Sequence, residues 1–368
     1  EVGYVKLMPD DVVPEAVTAI AFAQGGETVV KLVKKKGDWV IETEWDAPAK
    51  EEKVEDLLGD LQDAMGTVAS ENEALHETYQ VDEEEGIHVQ LYTHAPDKPA
   101  FELVLGKNKG YEYTFVRLAG QQKVYESTKD LLGHFNVYGD ERKPKYKPWL
   151  DKVVLKADKE KMARVEVRYP DHTMVFAREA KAKAEGEKEG EAPKTEDEEL
   201  GDWQLVSGGP GVPVKKDKLK DYMDDIAEIE ARNVVAPDKK TELGLEKPPF
   251  RLTVQLKEGE RKELLGAGNP DSAEQTHVMV PGSDLIFGMA PWTFEKIFPK
   301  GKKLFDLETP TVEKKQIRSL ALKRGETVVK LERKDADAEW TLVQPQTGFP
   351  LDASQAKTIS EKLAAEGM

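Results

Sequence analysis

The heptapeptide Gly-Glu-Thr-Val-Val-Lys-Leu occupies residues 26–32 and recurs without change at residues 325–331. Each copy is followed by an acidic residue directly before a tryptophan, at Asp38-Trp39 and at Glu339-Trp340. The same acidic-Trp pair stands between them at Asp202-Trp203. Identity over seven residues is improbable by chance, and a recurring order of motifs indicates an internal repeat. The sequence therefore predicts repeated units, each with a β-hairpin that leads into a tryptophan strand.

An amphipathic helix is predicted after each tryptophan, because apolar residues recur there at spacings of three and four. The helix of the last copy begins near Asp352, an N-cap residue type that stands three positions before Gln355. The apolar stripes are Val54, Leu57, Leu58, Leu61 and Met65 in the first copy, Leu219, Tyr222, Met223, Ile226 and Ile229 in the second, and Ile359 and Leu363 in the third.

The first two copies continue into further strands. Residues 87–91 and 252–256 alternate in side-chain polarity, which is typical of strands with one buried face. The predicted fold class is α+β, built of tandem repeats of a twisted, mainly antiparallel β-sheet packed on helices. The predicted units are a first repeat at 12–140, a second at 149–308, and a third, half repeat of hairpin plus helix at 312–368.

The half repeat is small, and chains of that size bury too little apolar surface to be comfortably stable alone. Its apolar residues therefore need a cover, for which the sequence leaves two alternatives open. One is the sheet of the second unit, reached through the connector Glu308-Thr309-Pro310. The other is a neighbouring molecule, in which case the protein would polymerise.

A charged insertion interrupts the hairpin of the second unit at residues 178–201, which contain almost no large apolar side chain. Such a composition cannot offset the entropy of ordering, so the segment is predicted to be a mobile hairpin tip. Replacing it with a Gly-Ser linker should leave the melting temperature within a few degrees, because loop length costs only about 0.6 kcal/mol per doubling. Loss of cooperative unfolding on that replacement would show that the segment is part of the fold.

Composition excludes several classes of function. The chain has 368 residues, a net charge of -17 and no cysteine. Such a negative surface argues against nucleic-acid binding and a polybasic membrane patch, and the lack of thiols excludes disulfides, zinc fingers and thiol nucleophiles. No apolar run approaches the ~20 residues of a membrane helix. Because the chain opens at Glu1 without a methionine, we expect that a signal peptide or an anchor helix precedes it.

No residue is predicted to be catalytic, to bind a cofactor or to ligate a metal. The six histidines lack helical metal-ligand spacing, and His88 is expected to face solvent or a second layer. The acidic clusters lack a calcium-loop spacing, and the glycine-rich stretches lack the sequence of a phosphate-binding loop. These patterns favour solvated surfaces and turns.

The tryptophans are the most suggestive aromatic residues. Trp39, Trp203 and Trp340 hold equivalent places in the repeat, which favours packing on the helix of each unit over an aromatic ligand platform. Trp292 lies outside the repeat pattern and is a candidate contact for a partner.

The repeated pattern resembles the bacterial domain-of-unknown-function family numbered 4340. The matching stretch runs from Thr241-Glu242-Leu243-Gly244-Leu245 to Pro281-Gly282-Ser283-Asp284, and the resemblance extends over nearly the whole chain after about residue 12. The first unit departs from it, with Tyr79-Gln80-Val81 where Leu-Gly-Leu is expected. The resemblance implies an N-terminal membrane helix, an extracytoplasmic location, and genes beside ABC-type transport components of the gliding-motility kind.

From these observations we expect a non-enzymatic extracytoplasmic accessory or scaffold subunit of a bacterial envelope complex. It would be tethered to the inner membrane and would bind protein partners, transporter subunits among them, with no cofactor and no nucleic acid. The alternative is a carbohydrate-binding or hydrolytic periplasmic protein with a site between the units. Two carboxylates and an aromatic residue gathered in one pocket would favour that alternative.

Overall fold

The computed structural model describes residues 3–95, 97–110, 113–137, 142–179, 200–268, 276–305, 307, 313–324, 327–345 and 351–366. The predicted insertion at 178–201 lies outside the described residues except at its two ends. The predicted connector Glu308-Thr309-Pro310 and the side chain of Leu363 also lie outside them.

The first repeat forms a ten-stranded antiparallel sheet in the order β1-β6-β10-β9-β8-β7-β2-β3-β4-β5. Glycines at 25 and 26, with φ of 59° and 79°, make the two-residue turn from β2 to β3, because this turn requires positive φ at both positions. The strands are β1 Val5–Lys6, β2 Ala19–Gln24, β3 Glu27–Lys35, β4 Asp38–Ile41, β5 Ala47–Pro48, β6 Met65–Ser70, β7 Ile87–Tyr92, β8 Phe101–Lys109, β9 Tyr113–Leu118 and β10 Val124–Ser127, and the α-helices are α1 Glu51–Asp63 and α2 His76–Tyr79.

The described strands of the second repeat have the same order, except that none corresponds to β5 and that two strands, β15 and β16, stand where the first repeat has β6. Its eight-stranded sheet has the order β14-β13-β12-β17-β18-β19-β20-β16, and a separate β11–β15 pair corresponds to the β1–β6 pair. Its strands are β11 Val153–Lys156, β12 Met162–Arg168, β13 Thr173–Ala177, β14 Gln204–Ser207, β15 Glu228–Glu230, β16 Asn233–Val235, β17 Phe250–Leu256, β18 Arg261–Ala267, β19 Thr276–Met279 and β20 Ile286–Met289, and its α-helices are α3 Lys216–Ala227, α4 Pro291–Ile297 and α5 Gly301–Leu304.

The third repeat contains a three-stranded antiparallel sheet and one helix, namely β21 Ser319–Arg324, β22 Thr327–Glu332, β23 Thr341–Gln344 and α6 Ala353–Glu366. The predicted N-cap is confirmed, since Asp352 Oδ1 accepts hydrogen bonds from the amides of Ser354 at 3.0 Å and Gln355 at 3.3 Å. A hydrogen bond from the Ser354 hydroxyl lowers the pKa of Asp352 most, and the two amide bonds lower it further. Leu320, Leu331 and Trp340 form the core of this repeat with Ile317 and Ala356.

The predicted helix faces are correct over most of their length. In α1 the buried side chains are Val54, Leu57, Leu58 and Leu61, each worth about 1.5–3 kcal/mol of burial. The predicted helical stripes run too far, because Met65 and Ile229 belong to strands β6 and β15. At the ends of α1 and α3, a backbone carbonyl accepts a hydrogen bond from a distant segment of the chain. Ala64 O accepts from Leu7 N at 3.2 Å, and Ala227 O accepts from Ala157 N at 2.7 Å.

The α+β class with tandem, mainly antiparallel sheets is confirmed. The chain divides into two compact units, residues 1–209 with 216–303 and residues 210–215 with 304–368, so the sheets of both whole repeats lie in the first unit. Trp149, the predicted start of the second repeat, packs instead against Phe22 and Phe135 in the core of the first. Within the described part of the chain, no helix is long and apolar enough to cross a membrane.

Candidate functional site

A concave surface recurs in both whole repeats between the first helix and a short helix that follows the last strand. In the first repeat the closing helix is the 3-10 helix Leu132–Phe135, and His134 Nε2 lies 2.9 Å from Asp60 Oδ2 on α1. In the second, Lys296 Nζ on α4 donates to Asp225 Oδ1 on α3 at 2.9 Å. A basic side chain on the closing helix thus pairs with an aspartate of the first helix in both copies, so the cleft is a property of the repeat.

The cleft of the first repeat has a volume of about 820 Å³ and a charged lining. Burial raises the pKa of Asp60, but hydrogen bonds from Lys129 and His134 outweigh it and hold that pKa below its ordinary value. Burial, with the charge of Lys50, lowers the pKa of Lys53, whose ammonium lies 5.1 Å from the centroid of the Trp149 ring. The lining residues are Lys50, Glu51, Glu52, Lys53, Asp56, Asp60, Asp130, Gly133, His134 and Asp151.

The cleft of the second repeat combines an exposed indole with carboxylates. Trp292 is 66% exposed, because Pro291 begins α4 and the next position points away from the buried Phe294 and Ile297. The volume of this cleft is about 510 Å³. Its lining includes the carboxylates Asp225, Glu228 and Glu230, the apolar side chains Ile229, Ala231, Met289, Ala290 and Ile297, and the cations Lys152, Arg232 and Lys296. This surface can pack against an apolar or planar group while its rim binds charges.

The three repeat tryptophans differ in exposure. Trp39 and Trp340 are 4% and 6% exposed and lie in the cores of their repeats, whereas Trp203 is half-buried. The open face of Trp203 lines a groove of about 430 Å³ whose apolar wall is Met162, Leu219 and Met223. Trp203 thus has a face in a groove, and the packing interpretation of all three tryptophans stays a prediction for mutagenesis.

Each repeat tryptophan has a cation above its ring, which sequence reasoning missed. The three cations hold equivalent positions. The second residue after each tryptophan pairs with a residue of the neighbouring strand, and the cation stands two positions after that paired residue. The distances to the ring centroids are 5.9 Å for Lys34 over Trp39, 5.0 Å for Arg178 over Trp203 and 4.8 Å for Arg333 over Trp340. Alignment of the two heptapeptides could have revealed this shared cation, because Lys34 and Arg333 both stand two residues after the last residue of the heptapeptide.

The two arginines also tie the hairpin to the start of its first strand. Arg178 Nε donates to Met162 O at 2.6 Å, and Arg333 Nε donates to Ile317 O at 2.8 Å, at equivalent positions of the two repeats. A guanidinium donates several hydrogen bonds in one plane while its face lies on the indole, which a lysine cannot do. The two arginines therefore have a structural role, because each one both covers a tryptophan ring and holds two strands of its hairpin together.

His88 is almost fully buried beside two carboxylates, so of its two predicted environments, solvent and a second layer, solvent is wrong. It is 8% exposed; its Nδ1 lies 2.7 Å from Glu102 Oε1 and its Nε2 lies 3.3 Å from Glu83 Oε2. Arg117 Nη2 donates to Glu83 Oε1 at 2.7 Å. Across the described residues, no cluster of three or more histidine and carboxylate side chains has an arrangement that could hold a metal ion.

Comparison with known proteins gives one finding. The model of a family described as "Domain of unknown function (DUF4340)" matches residues 39–202 and, as a second tandem copy, residues 203–366. Each matched copy begins at a repeat tryptophan, so the family frame starts later than the sheets, which include strands before it. No curated protein and no solved structure matches the chain.

Proposed function

Because the chain belongs to the DUF4340 family, we propose that it is a non-enzymatic, extracytoplasmic accessory or scaffold subunit of a bacterial envelope complex. It is tethered to the inner membrane and works beside an ABC-type transporter or gliding machinery, the setting that the family resemblance implies. Repeated units with equivalent clefts present several binding surfaces on one chain, which suits assembly. Family membership by itself carries no activity, so the proposal rests on a specific surface.

The observation that carries the proposal is the exposed Trp292 in the cleft of the second repeat. The indole of Trp292 is 66% exposed and shares its cleft with charged side chains, whereas Ile229 and Met289 in the same cleft are almost fully buried. A large exposed aromatic side chain with charged neighbours has the composition of a protein-binding centre. Its counterpart cleft in the first repeat is lined by charges. We therefore assign the partner contact to the second repeat.

The test uses the full-length gene product in its own bacterium, cross-linked in intact cells and solubilised in mild detergent. We expect a membrane transporter component to co-purify with the wild type, and its recovered amount to fall at least tenfold with Trp292→Ala. The reason is that a tryptophan at the centre of an interface contributes about 2 kcal/mol or more to binding. The matched control is Trp45→Ala, because Trp45 is also exposed, at 44%, but lies in the first repeat.

Two results would contradict this function. One is the recovery of the same transporter component with Trp292→Ala as with the wild type. The other is protection of the protein from protease in spheroplasts with intact inner membranes, which would place it on the cytoplasmic side.

A second candidate function is carbohydrate binding or hydrolysis, and one observation favours it. The cleft of the second repeat gathers Asp225, Glu228 and Glu230 beside Trp292, a set that could stack on a sugar ring and bind its hydroxyls. This cleft lies within one repeat. Binding of soluble envelope glycans to the purified chain, abolished by Trp292→Ala and reduced by Glu228→Gln, would replace the scaffold function with this one.

A further inference from the structure

The first strand of the third repeat has a different environment from its counterparts. In the whole repeats, β2 lies between β3 and β7, and β12 lies between β13 and β17. Among the described residues, β21 pairs only with β22 and is the edge of its sheet. An edge strand of six residues presents a row of backbone donors and acceptors that can pair with another chain.

The register of the whole repeats shows what kind of strand fits this edge. Ile20 pairs with Leu91 of β7, and Val165 pairs with Val254 of β17, both in antiparallel register. Leu320 is the equivalent residue, because it pairs with Leu331 as Ile20 pairs with Leu32. An added strand is therefore antiparallel, with an apolar side chain opposite Leu320. Leu322, which is 40% exposed, offers a second apolar contact.

The charge along this edge selects the partner. Residues 313–324 contain Lys314, Lys315, Arg318, Lys323 and Arg324 against the single acid Glu313, in a chain whose net charge is -17. Lys315, Arg318 and Lys323 are exposed. A second copy of β21 paired across a two-fold axis would bring two such sets of cations to one edge, which is unfavourable. An acidic strand would instead be complementary.

We propose that the edge of β21 binds an acidic, extended segment of a partner protein, which adds to the sheet as an antiparallel strand. Backbone hydrogen bonds supply the affinity. Carboxylates that alternate with apolar residues lie on the face of β21 that carries Lys323, and carboxylates at the end of the added segment meet Lys315 and Arg318, which precede the strand. The inference rests on the third repeat and is independent of Trp292 and of the envelope location.

The test measures binding of a dye-labelled peptide, Glu-Val-Glu-Val-Glu-Leu-Glu-Val-Glu, to the full chain by fluorescence anisotropy at low ionic strength. Two control peptides carry Lys in place of Glu, or N-methyl groups on two adjacent central amides. N-methylation keeps the charges and removes backbone donors on both edges of the peptide. We expect the acidic peptide to bind and both controls to bind at least tenfold more weakly. Hydrogen exchange within residues 319–324 should slow when the acidic peptide is added.

Variants of the protein locate the site. Lys315→Glu with Lys323→Glu should weaken binding of the acidic peptide about five- to tenfold, as expected for two exposed ion pairs. The control pair Lys98→Glu with Lys107→Glu makes the same change of net charge on exposed lysines of the first repeat and should leave binding within twofold.

Three outcomes would overturn the proposal. Equal binding of the N-methylated peptide would show attraction between charges without strand addition. Failure of the acidic peptide to bind at 1 mM would show that the edge does not accept it. Sedimentation that shows a dimer of the chain alone, dissociated by Lys315→Glu with Lys323→Glu, would assign the edge to a second copy.

Discussion

Alanine at Trp39 or Trp340 should lower the free energy of unfolding of the unit that contains it by about 3–5 kcal/mol, the usual cost of removing a buried indole. Both side chains are almost fully buried, and each also lies beneath a cation. Trp203→Ala should cost less, because Trp203 is less completely buried than the other two and lines a groove. Calorimetry is the appropriate measurement, since two compact units need not unfold in one transition.

The exposed Trp45 provides the control for this series, and Trp45→Ala should change stability by less than about 0.5 kcal/mol. Unchanged stability of Trp39→Ala or Trp340→Ala together with lost ligand binding would contradict the packing role and restore the aromatic platform. Equal losses at all three repeat tryptophans would mean that Trp203 is covered in solution.

Trp149→Ala is expected to destabilise the first repeat by about 3–5 kcal/mol and near the upper end of that range. Trp149 is 0% exposed, and its ring centroid lies 4.7 Å from that of Phe22 and 5.6 Å from that of Phe135. Aromatic contacts of this kind add about 0.5–1.5 kcal/mol each to the burial energy. Thermal unfolding followed by calorimetry measures the loss directly.

Trp149→Phe is the informative companion, because it keeps an aromatic ring and removes an indole N–H that is buried without a hydrogen-bond partner in the described structure. We expect it to cost less than half as much as Trp149→Ala. If Trp149→Ala instead leaves the first repeat as stable as the wild type, Trp149 belongs to the second repeat, as the sequence predicted.

The hairpin, the tryptophan strand and the helix of each repeat could be predicted because their signals are local. The periodicity that marks Val54 and Leu61 on α1 is a property of consecutive residues, and the N-cap at Asp352 depends on residues within one turn. The same periodicity overran each helix end, since β6 and β15 begin where the chain pairs with distant residues, and no local signal reports that pairing.

The candidate clefts could be predicted only in part. Trp292 was identified because it lies outside the repeat pattern, but the carboxylates beside it come from α3 and β15, more than sixty residues earlier in the chain. The pairing of Asp60 with His134 joins residues 74 positions apart. Contacts between residues so far apart leave no local pattern in a single sequence, so neither contact could be predicted from it.

The sequence by itself determined the repeat, the α+β class and the buried faces of α1 and α3, because hydrophobic period and turn residues act over a few positions. Tertiary structure alone decided which tryptophans are covered and where Trp149 packs. It also decided that, among the described strands, β21 lies at an edge while β2 and β12 are internal, although all three strands begin equivalent hairpins. The physical reason is that strand neighbours and side-chain burial are set by contacts between segments distant in the chain, which local propensity does not encode.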